Sequence, residues 1–223
     1  MQKLCLLKFH LFFIFELMLK EKIALILSRE LPGLKAHSKL LPPGRVLEAT
    51  PENHKRVKSS SVLLLLFEKD NILKVLLIKR PQHMKHHPGQ IALPGGRIEI
   101  NESAVETALR ETYEEIGIGS DKIEILGELS EFYIEVSHFK IRPLVGWLKS
   151  FPALKINPGE VEKIIYFPIE YFKPPYDKLK LETLTGKLDV PCVQFEKEII
   201  WGATAMILSE FYDVFQAAKE ITP

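Results

Sequence analysis

Two short apolar runs stand side by side in this chain. They are Val62-Leu63-Leu64-Leu65-Leu66-Phe67 and Ile72-Leu73-Lys74-Val75-Leu76-Leu77-Ile78, parted by Lys69-Asp70-Asn71. Runs of this length around a polar turn predict a hairpin of buried strands. Buried strands need other elements to cover them. The rest of the chain offers those elements: further strands are predicted over residues 123–129, 139–148, 161–167 and 179–185. Helical patterns run over residues 20–29, stopped by Leu31-Pro32-Gly33, and from about Ala203 to Lys219. The best-marked helix spans residues 103–116, where Ser103 and Glu106 form a capping box and Gly117 supplies a left-handed stop. Short strands with helices at both ends of the chain imply an α/β protein, a sheet covered by helices on its two faces.

A length of 223 residues suits one domain with embellishments. Residues 41–58 carry Pro42, Pro43, Gly44 and Pro51 and read as an extended connector. The chain therefore divides into an N-terminal helical extension, 1–40, and a main domain, 41–223. The net charge is only +1, so affinity for nucleic-acid phosphates is not expected. Cys5 and Cys192 lack a C-x-x-C partner and read as free thiols in a reducing, cytoplasmic compartment. The apolar stretch Leu4–Met18 is interrupted by Lys8, His10 and Glu16 and falls short of the roughly 20 apolar residues of a spanning helix. It has neither a small-residue cleavage site nor the arginines of a transit peptide. A packing helix, an interfacial helix, or residues upstream of a start at Met18 remain open for it. No membrane partner is expected, and a homodimer is left open.

The chemistry concentrates on the 103–116 helix. At about 100° per residue, Val105, Ala108, Leu109, Thr112 and Ile116 share one stripe that can pack on a sheet. Glu111, Glu114 and Glu115 gather on an adjacent face, because positions three and four apart are neighbours. Like charges there repel, and a divalent cation between them would relieve the repulsion. Oxygen ligands of this kind suit Mg2+ or Mn2+. Arg110 lies about two turns beyond Glu102, and an ion pair between them would fix the helix against the Gly95-Gly96 turn. Taken alone, E-x-x-E-E would be an ordinary solvated acidic face.

The frame around it is longer. Gly96, Glu102 and Arg110-Glu111-Thr112-Tyr113-Glu114-Glu115-Ile116-Gly117-Ile118 resemble the Nudix box, G-x5-E-x7-R-E-U-x-E-E-x-G-U, with Thr112 as the one departure, at a bulky apolar position. The resemblance implies a Nudix-type α/β/α sandwich with a mixed β-sheet between helices, and a metal-dependent hydrolase of nucleoside diphosphate derivatives. It makes Glu111 and Glu115 the main ligands of Mg2+ or Mn2+, and Glu114 a further ligand or water positioner. The Gly96 region would lend a backbone carbonyl, and Glu102 with Arg110 would be the orienting pair. Some members use a glutamate outside the box as general base, and Glu160 in Asn157-Pro158-Gly159-Glu160-Val161 is the candidate, unless it is a plain loop carboxylate.

The stretch from Leu76 to Gly96 is similar to the motif of the coenzyme A diphosphatase branch, L-L-T-x-R-S-x-x-L-R-x-H-x-G-x-x-x-F-P-G-G. Leu76, Leu77, Arg80, His87, Gly89, Pro94, Gly95 and Gly96 match, while Ile78 and Pro81 depart. The segments 157–161 and 200–205 also look like that branch. The resemblance implies cleavage of coenzyme A or its thioesters to phosphopantetheine and 3',5'-ADP, with Arg80, His87, Gln90, Gly95 and Gly96 touching this small-molecule nucleotide substrate. Lys79, Arg80, Lys85 and His87 would meet its phosphates. ADP-ribose or a dinucleotide is the alternative substrate, and a catalytically silent nucleotide-binding module is the alternative without chemistry. His83, His86 and His87 fit no usual zinc spacing. Trp201, Ala205, Leu208, Tyr212 and Phe215 have helical spacing and read as core.

Overall fold

The computed structural model describes residues 19–47, 57–135, 137–183 and 186–221. Residues 19–27 form helix α1. The elements that follow are α2 (Leu34–His37), β1 (Lys58–Lys69), β2 (Ile72–Lys79), β3 (Ile91–Ala92), β4 (Gly95–Arg97), α3 (Ala104–Ile116), β5 (Ile123–Glu128) and β6 (Phe132–Ile134). After them come β7 (Phe139–Leu148), β8 (Lys163–Pro168), β9 (Asp177–Thr183), β10 (Gly186–Phe195), β11 (Glu198–Trp201) and α4 (Gly202–Glu220). The apolar stretch before Met18 lies outside the described residues.

Strand β1 organises the sheet. It pairs antiparallel with β2 through Leu65–Leu76 and Leu66–Val75, as the two apolar runs predicted. The hairpin turns at Asp70 and Asn71, both with positive φ (58° and 62°), the conformation that matches the twist of tightly joined strands. Along its other edge β1 runs parallel to β7, from Lys58–Phe139 to Leu66–Trp147. Its first half also pairs with β4, through Ser61–Gly96 and Val62–Gly95. With β3 and β8 on β2, and β5 and β6 on β7, the described residues form an eight-stranded mixed sheet. Strands β9, β10 and β11 form a separate antiparallel sheet.

Side chains alternate across a strand, so the unbroken apolar run of β1 feeds two cores. Leu63, Leu65 and Phe67 point to the α3 side, packing with Ala108 and Ile116. Leu64 and Leu66 point to the opposite side, with Phe211 and Phe215 of α4 and Ile23 and Leu40 of the N-terminal segment. This is the expected sheet between helices. The N-terminal segment is tied in by polar contacts as well. Glu210 on α4, without solvent exposure, accepts from the Gly33 and Ser130 N–H groups at 2.9 and 3.0 Å and meets His37 Nε2 at 2.9 Å. The Ser209 hydroxyl donates to the Ala36 carbonyl at 2.9 Å. Among the described residues no helix is long and apolar enough to cross a membrane.

Strands β3, β4, β6, β10 and β11 were not expected; Gly95 and Gly96, expected in a turn, lie in β4 because they pair with Val62 and Ser61 of β1. Pro191 within β10 masks that strand, because proline inside a run argues against strand. The strand expected over 161–167 begins at Lys163, since the Val161 N–H closes a turn onto the Asn157 carbonyl at 2.9 Å.

Candidate active site

Helix α3 starts where its caps say it should. The Glu106 N–H donates to Ser103 Oγ at 3.2 Å and the Ser103 N–H donates to Glu106 Oε2 at 2.8 Å, closing the capping box. The helix stops at Gly117, whose φ of 75° favours glycine, and whose N–H donates to the Tyr113 carbonyl at 2.9 Å. Ala108, Thr112 and Ile116 are buried against the sheet. Thr112 fits its apolar position because its hydroxyl donates to the Ala108 carbonyl, 2.6 Å away, which leaves the methyl to pack.

This docking presses the glutamate face against β4. Glu115 is 1% exposed, and its Oε2 accepts the Gly95 N–H at 3.1 Å. Gly95 is held on β1 opposite Val62, so the sheet register delivers that donor. Gly96 faces Glu111, and a Cβ there would run into the Glu111 carboxylate. Burial pushes the Glu115 carboxyl up to about 8; the Gly95 N–H and the Arg80 charge act against it, and Glu111 and Glu160 add to it. Glu111 is likewise pushed up by burial, with Arg110 opposing and Glu114 and Glu160 adding.

The expected ion pair between Glu102 and Arg110 is present as a fork. Arg110 Nε and Nη2 donate to the two Glu102 oxygens at 2.8 and 3.0 Å. The Thr107 hydroxyl adds a 2.6 Å bond to Glu102 Oε2. Arg110 and then Thr107 hold the Glu102 carboxyl at about 2. Arg110 Nη1 reaches the other way, to Glu111 Oε1 at 2.9 Å and Glu114 Oε2 at 3.0 Å.

Glu160 comes to the same place from a distant loop. The Asn157 N–H donates to the Glu115 carbonyl at 2.9 Å, and the Lys155 N–H donates to the Ile116 carbonyl at 3.0 Å. The loop is thereby moored to the end of α3, and Glu160 is close enough for its charge to bear on Glu111 and Glu115. The loop before β3 closes the other side. The Arg80 N–H donates to the Gln90 carbonyl at 3.0 Å, and the Gln90 side-chain oxygen lies 3.1 Å from His87 Nδ1. Arg80 Nε is buried and has no hydrogen-bond partner among the described residues. His83, His86 and His87 are exposed.

Lys79 departs from the expected phosphate contact. Its amine pairs with Glu162 at 3.3 Å and Glu198 at 3.4 Å, and Glu198 also meets Lys163 at 3.5 Å. That network ties β11 to β2 and β8. It left no mark in sequence, since Glu162 and Glu198 belong to no spaced pattern. The Gly95 donor and the mooring at Asn157 were missed for the same reason.

Among the described residues no three His, Cys, Asp or Glu side chains form a ready-made metal cage. The donor set nonetheless fits Mg2+ or Mn2+: hard carboxylate oxygens, of which Glu111 and Glu115 are pushed toward the neutral form by burial, while Glu114 stays open to solvent. A divalent charge acts in the opposite direction and favours the carboxylate form.

A family model described as "NUDIX domain" matches residues 57–185. The chain is 34% identical over 134 residues to Nudix hydrolase 3 of Caenorhabditis elegans, covering 59% of this chain and 56% of that protein. It is also 34% identical over 130 residues to the peroxisomal coenzyme A diphosphatase ndx-8 of the same organism, covering 56% and 55%. The chain thus spans about half the length of these two curated relatives. A crystal structure of a MutT/nudix family protein from Enterococcus faecalis aligns with a TM-score of 0.50 at 21% identity, covering 76% of this chain and 66% of that one, a likeness of fold.

Proposed function

The chain belongs to the NUDIX domain family, and on that footing we propose that it hydrolyses the diphosphate of coenzyme A or its thioesters to phosphopantetheine and 3',5'-ADP. The observation that carries this reading is the anchoring of the 80–90 loop beside the glutamate face. Arg80, the arginine of the branch-like motif, bears electrostatically on Glu115 and has a buried Nε with no hydrogen-bond partner among the described residues. The 34% identity to a protein named a coenzyme A diphosphatase supports the same substrate.

A Mg2+ or Mn2+ ion held by Glu111, Glu115 and Glu114 with the Gly96 carbonyl would neutralise the diphosphate and acidify water. The remaining work falls to the chain. Arg80 offers its guanidinium fork to a phosphate, while His87 and Gln90 contact the nucleotide half. Gly95 and Gly96 let the diphosphate approach the β4 backbone. Glu102 and Arg110 keep α3 aligned. Glu160 accepts the proton of the attacking water as its oxygen bonds to phosphorus. The bridging P–O bond then breaks, and its electron pair leaves on the departing phosphate. The buried free thiol of Cys192 suits a reducing cytoplasmic setting.

The test is product identification by mass spectrometry after incubation with coenzyme A, ADP-ribose or a dinucleoside polyphosphate, each with Mg2+ or Mn2+. Phosphopantetheine and 3',5'-ADP from coenzyme A alone are expected. In Glu115→Gln the rate should fall roughly a hundredfold or more with the fold retained. Cleavage of another substrate with coenzyme A intact would overturn the substrate, and no cleavage by the wild type would leave a binding module.

A further inference from the structure

Arg110 does two things at once. Its Nε and Nη2 fork onto Glu102 at 2.8 and 3.0 Å, and its Nη1 bridges Glu111 and Glu114 at 2.9 and 3.0 Å. The fork alone would align the helix. The bridge is a separate contact, made to two of the carboxylates assigned above to the metal. In that position the guanidinium supplies the counter-charge that the acidic face needs for the helix to tolerate it. Arg110 and Glu111 are both largely shielded from solvent, with side chains 28% and 17% exposed, so screening of their charges is weak.

A divalent ion held by Glu111 and Glu114 would place its charge beside that guanidinium, on the same two carboxylates. Arginine does not give up its proton near neutrality. The repulsion is therefore relieved by breaking the contacts of Nη1 with the two carboxylates. The guanidinium is planar, so with Nε and Nη2 held on Glu102 it is the Glu111 and Glu114 carboxylates that turn from Nη1 toward the ion, and Arg110 keeps a full partner in Glu102 when they do.

We propose that Arg110 is a built-in counter-ion that holds the glutamate face together without metal, competes with the divalent ion for Glu111 and Glu114, and keeps Glu102 as its one carboxylate partner when the ion binds. This rests on the reading of Glu111, Glu114 and Glu115 as metal ligands. It makes Arg110 a competitor as well as an aligner, and the two roles predict opposite signs. An aligner preorganises the ligands, so its loss weakens metal binding. A competitor occupies them, so its loss strengthens binding.

The experiment is Mn2+ titration of the full chain, with free ion followed by electron paramagnetic resonance, on wild type, Arg110→Met and Glu102→Gln. Arg110→Met should bind Mn2+ roughly tenfold tighter, the scale of one charged hydrogen bond. Its melting temperature without metal should fall, and the rise on adding Mn2+ should exceed that of wild type. Glu102→Gln removes the charge that the fork rests on, leaves Glu111 and Glu114 as the carboxylate partners of Arg110, and should bind Mn2+ more weakly. Equal or weaker binding by Arg110→Met overturns the proposal. Should Arg110→Met not fold, Arg110→Gln, which keeps a hydrogen-bonding end without the charge, decides, and equal or weaker binding by it is the overturning result. Failure of the wild type to bind Mn2+ at all would instead remove the metal reading beneath the proposal, an outcome distinct from an unchanged affinity in the variants.

Discussion

Gly96 and Glu111 show how closely single atoms are set in this site. The Gly96 backbone lies against the Glu111 carboxylate because no Cβ intervenes. Gly96→Ala should push Glu111 aside without disturbing the strand, since β4 pairs with β1 through its backbone. We expect the melting temperature to shift little and kcat/KM to fall roughly a hundredfold, the scale of a misplaced reacting group. An unchanged kcat/KM would remove the close approach from the account of the site. The glutamate residues themselves were readable from sequence, because i, i+3 and i+4 positions share a helix face whatever the helix packs on. The loss of exposure of Glu115 was not, because it depends on the Gly95 N–H brought by a strand from elsewhere.

The same division holds for whole elements. Helix α3 carries its own start and stop, Ser103 with Glu106 and then Gly117, so its limits were legible within one residue. Ser103→Ala should lower stability by about 1 kcal/mol in denaturant unfolding, leaving the Glu106 N–H without its cap. A change indistinguishable from zero would mean that tertiary packing alone sets the start of the helix. Strands β1 and β2 were equally legible, as apolar runs around a polar turn. Strand β10 was not, because Pro191 and the alternation of Lys187, Asp189 and Val190 carry no unambiguous period. Its strand character comes from its neighbours: β9 and β11 pair with it along both edges.

Across the whole molecule the hub at Glu210 joins three pieces of chain that are distant in sequence: α4, the turn before α2, and the turn after β5. Burial pushes its carboxyl up, but His37, Ser130 and Gly33 outweigh that and hold it below the ordinary carboxylate value. A carboxyl held low in the folded state stabilises at pH above the unfolded value near 4.5 and loses that contribution as pH falls through its folded value. Glu210→Ala should therefore cost about 3–5 kcal/mol near neutrality, by stranding His37 and two N–H groups. The gap from wild type should narrow below about pH 4. Urea unfolding across pH 3–7 measures both, and a constant gap would show that the charge of Glu210 contributes nothing.

The sequence by itself determined the local elements with their own signals: the β1–β2 hairpin, α3 with its caps, and the acidic face of that helix. It also carried the Gly96–Ile118 frame, which the family model matched as part of residues 57–185. The hairpin, the helix and its acidic face depend on turn chemistry, capping and helical period, which act between near neighbours in sequence. Only the tertiary structure decided that β1 would run parallel to β7, that Lys79 would go to Glu162 and Glu198, and that Glu160 would lie near enough for its charge to bear on Glu115. Those contacts depend on closing long loops and on which faces shed water together, and no short pattern encodes either.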